Sequence, residues 1–268
     1  MTRFSERAYF IFSGLLMIVG SLLSANGGQQ HPMISSKMGV LGSDSFYHHF
    51  AQLIAGDPNW EQVHAQILAA PVLWVLGGLA LAALARAAGE TRWSTLGLLS
   101  TAMGAVLWVV MYIFDGFVAD RTAAWMLNGD PSLMPAYTAN FGAGQWVAIR
   151  TSFVAWLLIA FGTAASSIAL AALARRGAGR GRGFAIVLVV LGLVLGAASF
   201  IASASGAFSP GPMVSPYYVP MLIGTQFWYI IAGLFVIYRA IRKPVTAAAI
   251  TRPPVQRAPE RETASSIH

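Results

Sequence analysis

No cysteine occurs among the 268 residues, and charged side chains make up only 10% of them. The first absence excludes disulfide frameworks, thiolate-held metal sites, iron–sulfur clusters and cysteine nucleophiles. The second excludes an ordinary water-soluble domain, in which about a quarter of the residues are charged. What fills the space is apolar: 56% of the residues are hydrophobic and the mean hydropathy is +0.63. A core of this size cannot hide that much apolar surface, so lipid must be the main solvent. A soluble enzyme, a nucleic-acid-binding domain and a disordered chain are set aside together. The partner implied throughout is the lipid bilayer, and no nucleic acid is expected despite a pI near 10.1.

A helix needs about 20 mostly apolar residues to cross a hydrocarbon core of about 30 Å, because each backbone group must be bonded within the segment. Six stretches meet this requirement: residues 8–25, 64–85, 94–117, 150–172, 183–205 and 217–238. They are continuous runs, not the short alternating segments of a transmembrane barrel. The expected fold is an all-α integral membrane protein with six transmembrane helices in residues 1–242. Residues 243–268 hold Pro244, Pro253, Pro254, Pro259 and scattered charges without an apolar period, and are expected to form a disordered basic tail.

Arginines sort the loops. Arg3 and Arg7 precede the first span, Arg86 and Arg92 separate the second from the third, and Arg175, Arg176, Arg180 and Arg182 separate the fourth from the fifth. Six more basic residues follow the sixth span. Lys37, Arg121 and Arg150 fall on the other side, together with Asp44, Asp57, Glu61, Asp115, Asp120 and Asp130. Basic residues are retained in the cytoplasm, so both termini are expected inside, in a multi-pass protein of the plasma membrane. The high pI is then a topology signal. Ala25-Asn26-Gly27 after the first apolar run also resembles a signal-peptide cleavage site, but the run is longer than a signal peptide needs, which favours a retained helix.

Four of the five histidines, His31, His48, His49 and His64, lie on the predicted outer side. Within the first outer loop, Ser43 and Asp44 cap a segment in which Phe46, Phe50, Leu53 and Ile54 recur at helical spacing. This predicts a short interfacial helix ended by Gly56, with Asp57-Pro58 opening the next helix. Glu61 and His64 stand at i and i+3, a spacing that lets a carboxylate and an imidazole converge beside a helix. With His48, His49 and Asp44 nearby, this set points to a bound metal or haem. A second constellation is Asp115 at the end of span three with Arg150 at the start of span four. Ionisable groups at that depth are costly unless paired, and Tyr112, one turn before Asp115, is a hydrogen-bond partner for the pair. Asp115, Arg150 and Tyr112 are therefore the candidate residues for a small ligand.

The spans themselves carry little polarity. Gln226 and a few Ser and Thr residues lie at mid-depth, a poor path for a permease. Gly192 and Gly196 form a GxxxG pair, and Gly162 with Ser166 a small-xxx-small pair, each allowing close helix approach within the chain or to a membrane-protein partner. Pro71 and Pro220 are expected to kink spans two and six. Trp60, Trp146, Tyr217, Tyr218 and Trp93 suit interfacial belts. The uncharged loop GAFSPGPMVSP could roof one mouth of the bundle. No phosphate loop, HxxxH pair, terminal-span lysine or G-x-S-x-G turn is present. The sequence thus leads to a binding site for a small molecule, metal or haem at the outer ends of spans two to four. The alternative is an accessory subunit of a membrane complex.

Overall fold

A computed structural model describes residues 3–32, 42–176, 179–208 and 218–242. Lys37, most of the proline-rich loop, Tyr217 and the 243–268 tail lie outside these residues. Every regular element among the described residues is helical. The helices are α1 (Arg3–Gln30), α2 (Asp44–Ala55), α3 (Trp60–Ala87), α4 (Arg92–Tyr112), α5 (Ala119–Asn128), α6 (Met134–Arg176), α7 (Gly179–Phe208) and α8 (Tyr218–Arg242). A π-helical segment, Ile113–Val118, joins α4 to α5 without a break, and a 3₁₀ turn, Pro131–Leu133, leads into α6. Six helices are long and apolar enough to cross a membrane: α1, α3, α4 with its continuation, α6, α7 and α8.

These six pack as a ring in chain order. α1 lies against α3, α3 against α4, α4 against α6, α6 against α7, α7 against α8, and α8 closes on α1. The centre is aromatic: Trp74, Trp156 and Trp228 are almost fully buried. Trp74 stacks parallel on Tyr229 at 4.5 Å and meets Trp156 at 6.5 Å. Polar groups at mid-depth are spent on helix contacts. Gln226 donates from Nε2 to Ser24 Oγ at 2.7 Å, tying α8 to α1, and Trp74 Nε1 donates to Ser21 Oγ at 3.0 Å. Pro71 lacks the N–H that would bond Ile67 four residues earlier. The Trp108 indole donates to that Ile67 carbonyl instead, at 3.3 Å.

Gly192 and Gly196 are filled from within the chain. A Cβ on Gly192 would strike Ser167 and Trp228, and one on Gly196 would lie 2.9 Å from the Ala160 carbonyl and Ala164. The GxxxG face is therefore filled by α6 and, at Gly192, also by Trp228 of α8, and a partner placed there would have to displace them.

The helices run further than the apolar windows suggest. α6 has 43 residues, about 65 Å at 1.5 Å per residue, so its first turns stand well beyond a bilayer core. There α2, α5 and the start of α6 build a second apolar cluster of Phe46, Tyr47, Phe50, Ile54, Ala123, Met126 and Phe141. Ser43 caps α2, its Oγ accepting from Phe46 N at 3.2 Å, and Gly56 ends it. The stripe expected on the α2 surface is real: Phe46, Phe50 and Ile54 are buried, with Leu53 packed beside them. It packs on α5 and α6. Asp57-Pro58 does not open α3. Asp57 Oδ1 accepts from Asn59 N at 2.9 Å in a turn, and the helix begins at Trp60.

Candidate metal centre

At one end of the ring, three helices bring one donor each to a single point. His64 comes from the second turn of α3, Asp115 from the π-helical segment after α4, and His31 from the residue after α1. His64 Nε2 lies 3.2 Å from His31 Nε2 and 3.3 Å from Asp115 Oδ2, and His31 Nε2 lies 3.9 Å from the same oxygen. His64 has no exposed surface, whereas the His31 and Asp115 side chains keep 25% and 20%. The cluster is thus sealed on the α3 side and open on the other.

Local structure explains the convergence. A π turn carries one residue more than an α turn and leaves carbonyls without their usual donor. The buried Trp60 indole supplies one, donating to Asp115 O at 3.0 Å and Gly116 O at 3.1 Å. This pins the π segment to α3. Gly116 permits the approach: a Cβ there would lie 2.7 Å from His64 Cβ and 3.0 Å from its Cγ. α1 reaches His31 because Gly27 sits against α3, where a Cβ would be 2.6 Å from Ile67 Cγ1, and because Asn26 Nδ2 donates to Gln66 Oε1 at 2.7 Å. Aromatic rings complete the wall. Trp60 lies 4.3 Å from the His64 ring and 5.3 Å from His31, and Tyr112 lies 5.5 Å from His64.

The imidazole tautomers follow from their outer contacts. His64 Nδ1 is 2.7 Å from the Trp60 carbonyl oxygen, and His31 Nδ1 is 2.9 Å from that of Pro32. A carbonyl only accepts, so each Nδ1 carries its hydrogen and each neutral ring turns a bare Nε2 lone pair inward. With the Asp115 carboxylate, three acceptors then face one another and no donor stands among them. Burial also holds the His31 imidazole below its ordinary pKa, opposed by the Asp115 carboxylate and reinforced by His64. A metal ion, a proton or a donating water satisfies such a cluster.

The other residues expected here have different surroundings. His48 and His49 are exposed on α2, with the His48 ring bonded to Gln52 Nε2 at 3.1 Å, and neither joins the convergent donors. Glu61 is partly exposed on α3 and also stands outside the set. Asp115 pairs with the histidines, and the Arg150 guanidinium lies over the Trp146 ring at 5.2 Å. Trp60 is 1% exposed, a structural part of the site and not a belt residue. His31 was missed as a ligand because the polar run Asn26–Gln30 reads as the end of the first helix, whereas tertiary contacts carry that helix on to Gln30.

Replacing Gly116 by alanine should push His64 off its position and so weaken the hold of the three donors on any metal ion. Overpacking of this kind costs about 1–3 kcal/mol, so a drop of about tenfold or more in affinity is expected in a chelator-competition titration. Unchanged affinity would show that the Gly116–His64 contact does not set the donor geometry. Comparison with protein-family models, with curated proteins and with solved structures finds no match to this chain.

Proposed function

We propose that this chain is a multi-pass membrane protein that holds a divalent first-row metal ion through His31 Nε2, His64 Nε2 and Asp115 Oδ2. The observation that carries the reading is the convergence of three acceptors on one point with both Nδ1 hydrogens already committed to carbonyls. Those carbonyl bonds are the outer-shell contacts that orient metal-bound histidines. Bonds of about 2.0–2.1 Å in tetrahedral geometry place neighbouring donors about 3.4 Å apart, close to the spacing here. Two imidazoles and a carboxylate without thiolate suit zinc or iron(II), and three protein ligands leave a position for water or substrate. Haem fits less well. Nitrogens on opposite faces of its iron would stand about 4 Å apart with the macrocycle between them, and the 3.2 Å between the two Nε2 atoms leaves no room for that plane.

The basic ends of the spans support an arrangement with both termini in the cytoplasm of a plasma-membrane protein, which puts the metal at the outer surface. Metal analysis of the detergent-purified protein tests the reading, with about one equivalent of zinc or iron per chain expected. A folded sample without metal, and unable to take up either ion, would overturn it.

Acid should release the ion, and the direction follows from His31, which lies just past the first span. A histidine whose pKa is lowered stays neutral to a lower pH than free imidazole, near 6.5. Metal retention should therefore stay level from pH 8 through 6.5 and fall below that, as His31 Nε2 takes up a proton in place of the metal. The same sign applies to stability: the unfolded chain protonates this ring first as pH drops, so His31 disfavours the folded state at acid pH. Metal content after dialysis at stepped pH checks it, and loss centred above pH 6.5 would contradict it.

A further inference from the structure

At the opposite end of the ring, where the arginines gather, the seam between α6 and α7 opens into a trough of about 250 Å³ lined by Ala171, Ala174, Ile186 and Val189. Arg175 and Arg182 stand at its rim. We infer that this trough is a binding site for an anionic phospholipid, with one acyl chain along the alanines and its phosphate between the two guanidinium groups.

Two observations carry the inference. First, the wall is apolar and lies on helices that cross the membrane, so its natural filling is a hydrocarbon chain. Alanines at 171 and 174 leave the width that larger side chains would occupy, and Ile186 is 42% exposed along the edge. Second, the charge at the rim is unbalanced. Among the described residues no carboxylate pairs with Arg175 or Arg182. Neighbouring arginines add to the field: Arg176 lies over Gly89 at the α3–α4 turn, and Arg239 approaches Gly181 at the start of α7. Among the described residues the acids of this end sit elsewhere, with Glu6 on α1 across the ring and Glu90 receiving Trp93 N at 3.1 Å.

Guanidinium groups bind phosphate through paired N–H donors. A zwitterionic headgroup would bring its own cation into a basic field where none of the described carboxylates stands to receive it, so a headgroup of net negative charge is selected. The site does not depend on the metal centre at the far end of the bundle.

The test is lipid retention by the full chain in nanodiscs made from equal parts phosphatidylglycerol and phosphatidylcholine, followed by native mass spectrometry. Phosphatidylglycerol should be retained over phosphatidylcholine. Each arginine near a lipid surface is worth about fivefold in affinity, so Arg175→Gln with Arg182→Gln should cut retention by more than about tenfold. Ala171→Leu, which fills the trough and keeps both charges, should also reduce it. Arg86→Gln with Arg242→Gln removes the same charge elsewhere on this end and should leave retention intact. Equal retention of the two lipids would overturn the proposal, as would equal losses in the two arginine pairs, which would mean diffuse surface charge. Displacement of the lipid by millimolar inorganic phosphate would also overturn it, by showing an anion site with no role for the chain.

Discussion

Asp115→Asn is expected to abolish metal retention while leaving the metal-free protein at least as stable as the parent. In the parent without metal, three acceptors meet at 3.2–3.9 Å with no donor of their own. An asparagine at position 115 keeps the shape and replaces one acceptor by an amide NH₂, which can donate to the bare Nε2 atoms of His31 and His64. The cluster is then satisfied without an ion, and the charged ligand that favours a divalent cation is gone. Loss of outer-shell partners alone weakens metal sites by about 10–100-fold, so removal of a direct ligand should exceed that. Metal content and thermal unfolding in excess chelator measure the two halves separately. His64→Ala should lose the metal as well, but at a cost in stability, since it empties a fully buried position between Trp60 and Tyr112. His48→Ala and His49→Ala should retain it. Metal persisting in Asp115→Asn, or lost in His48→Ala, would refute this donor set.

The six spanning helices were readable because lipid imposes one simple condition, a continuous apolar run long enough to cross it. Their ends were less readable, since helices continue wherever tertiary contacts hold them, as Gly27 and Asn26 hold the end of α1 against α3. The same limit applied to the site. His64 and Asp115 both stood out, one by its spacing from Glu61 and the other by an acid at the end of an apolar run. Each was first matched to a partner nearby in sequence or of opposite charge. The structure joins them to each other and to His31 across three helices, and no helical period encodes that junction.

Two local features at Asp115 were also outside the reach of periodicity. The π turn shifts Asp115 relative to the face that a regular helix would give it. The glycine beside it, Gly116, is the contact point for His64. A glycine next to a lone acid at the boundary of a span is the clue the sequence did hold, because a close approach of backbone to a neighbouring helix is one of the few reasons to keep glycine there.

The small-residue pair Gly162 and Ser166 packs in a way that can be tested severely. α6 crosses α4 with its glycine against theirs: a Cβ on Gly162 would strike Thr101 Oγ1 and lie 2.9 Å from both Gly97 O and Thr101 N. A Cβ on Gly97 would strike Ser166 Oγ and lie 2.9 Å from Ser166 N and 3.1 Å from Gly162 O. Most of these neighbours are backbone atoms, so no flexible side chain can yield, and the helices must part. Parting them also stretches the Ser100 hydroxyl bond to the Leu158 carbonyl, now 2.8 Å. Gly162→Leu should therefore cost at least the 1–3 kcal/mol typical of an overfilled core, or about 2–12 °C in the unfolding midpoint at about 2–4 °C per kcal/mol. Gly183→Leu is the control, since a Cβ there meets nothing within 4 Å, and its midpoint should stay near the parent's. If Gly162→Leu unfolds with the parent, α4 and α6 do not cross at these glycines.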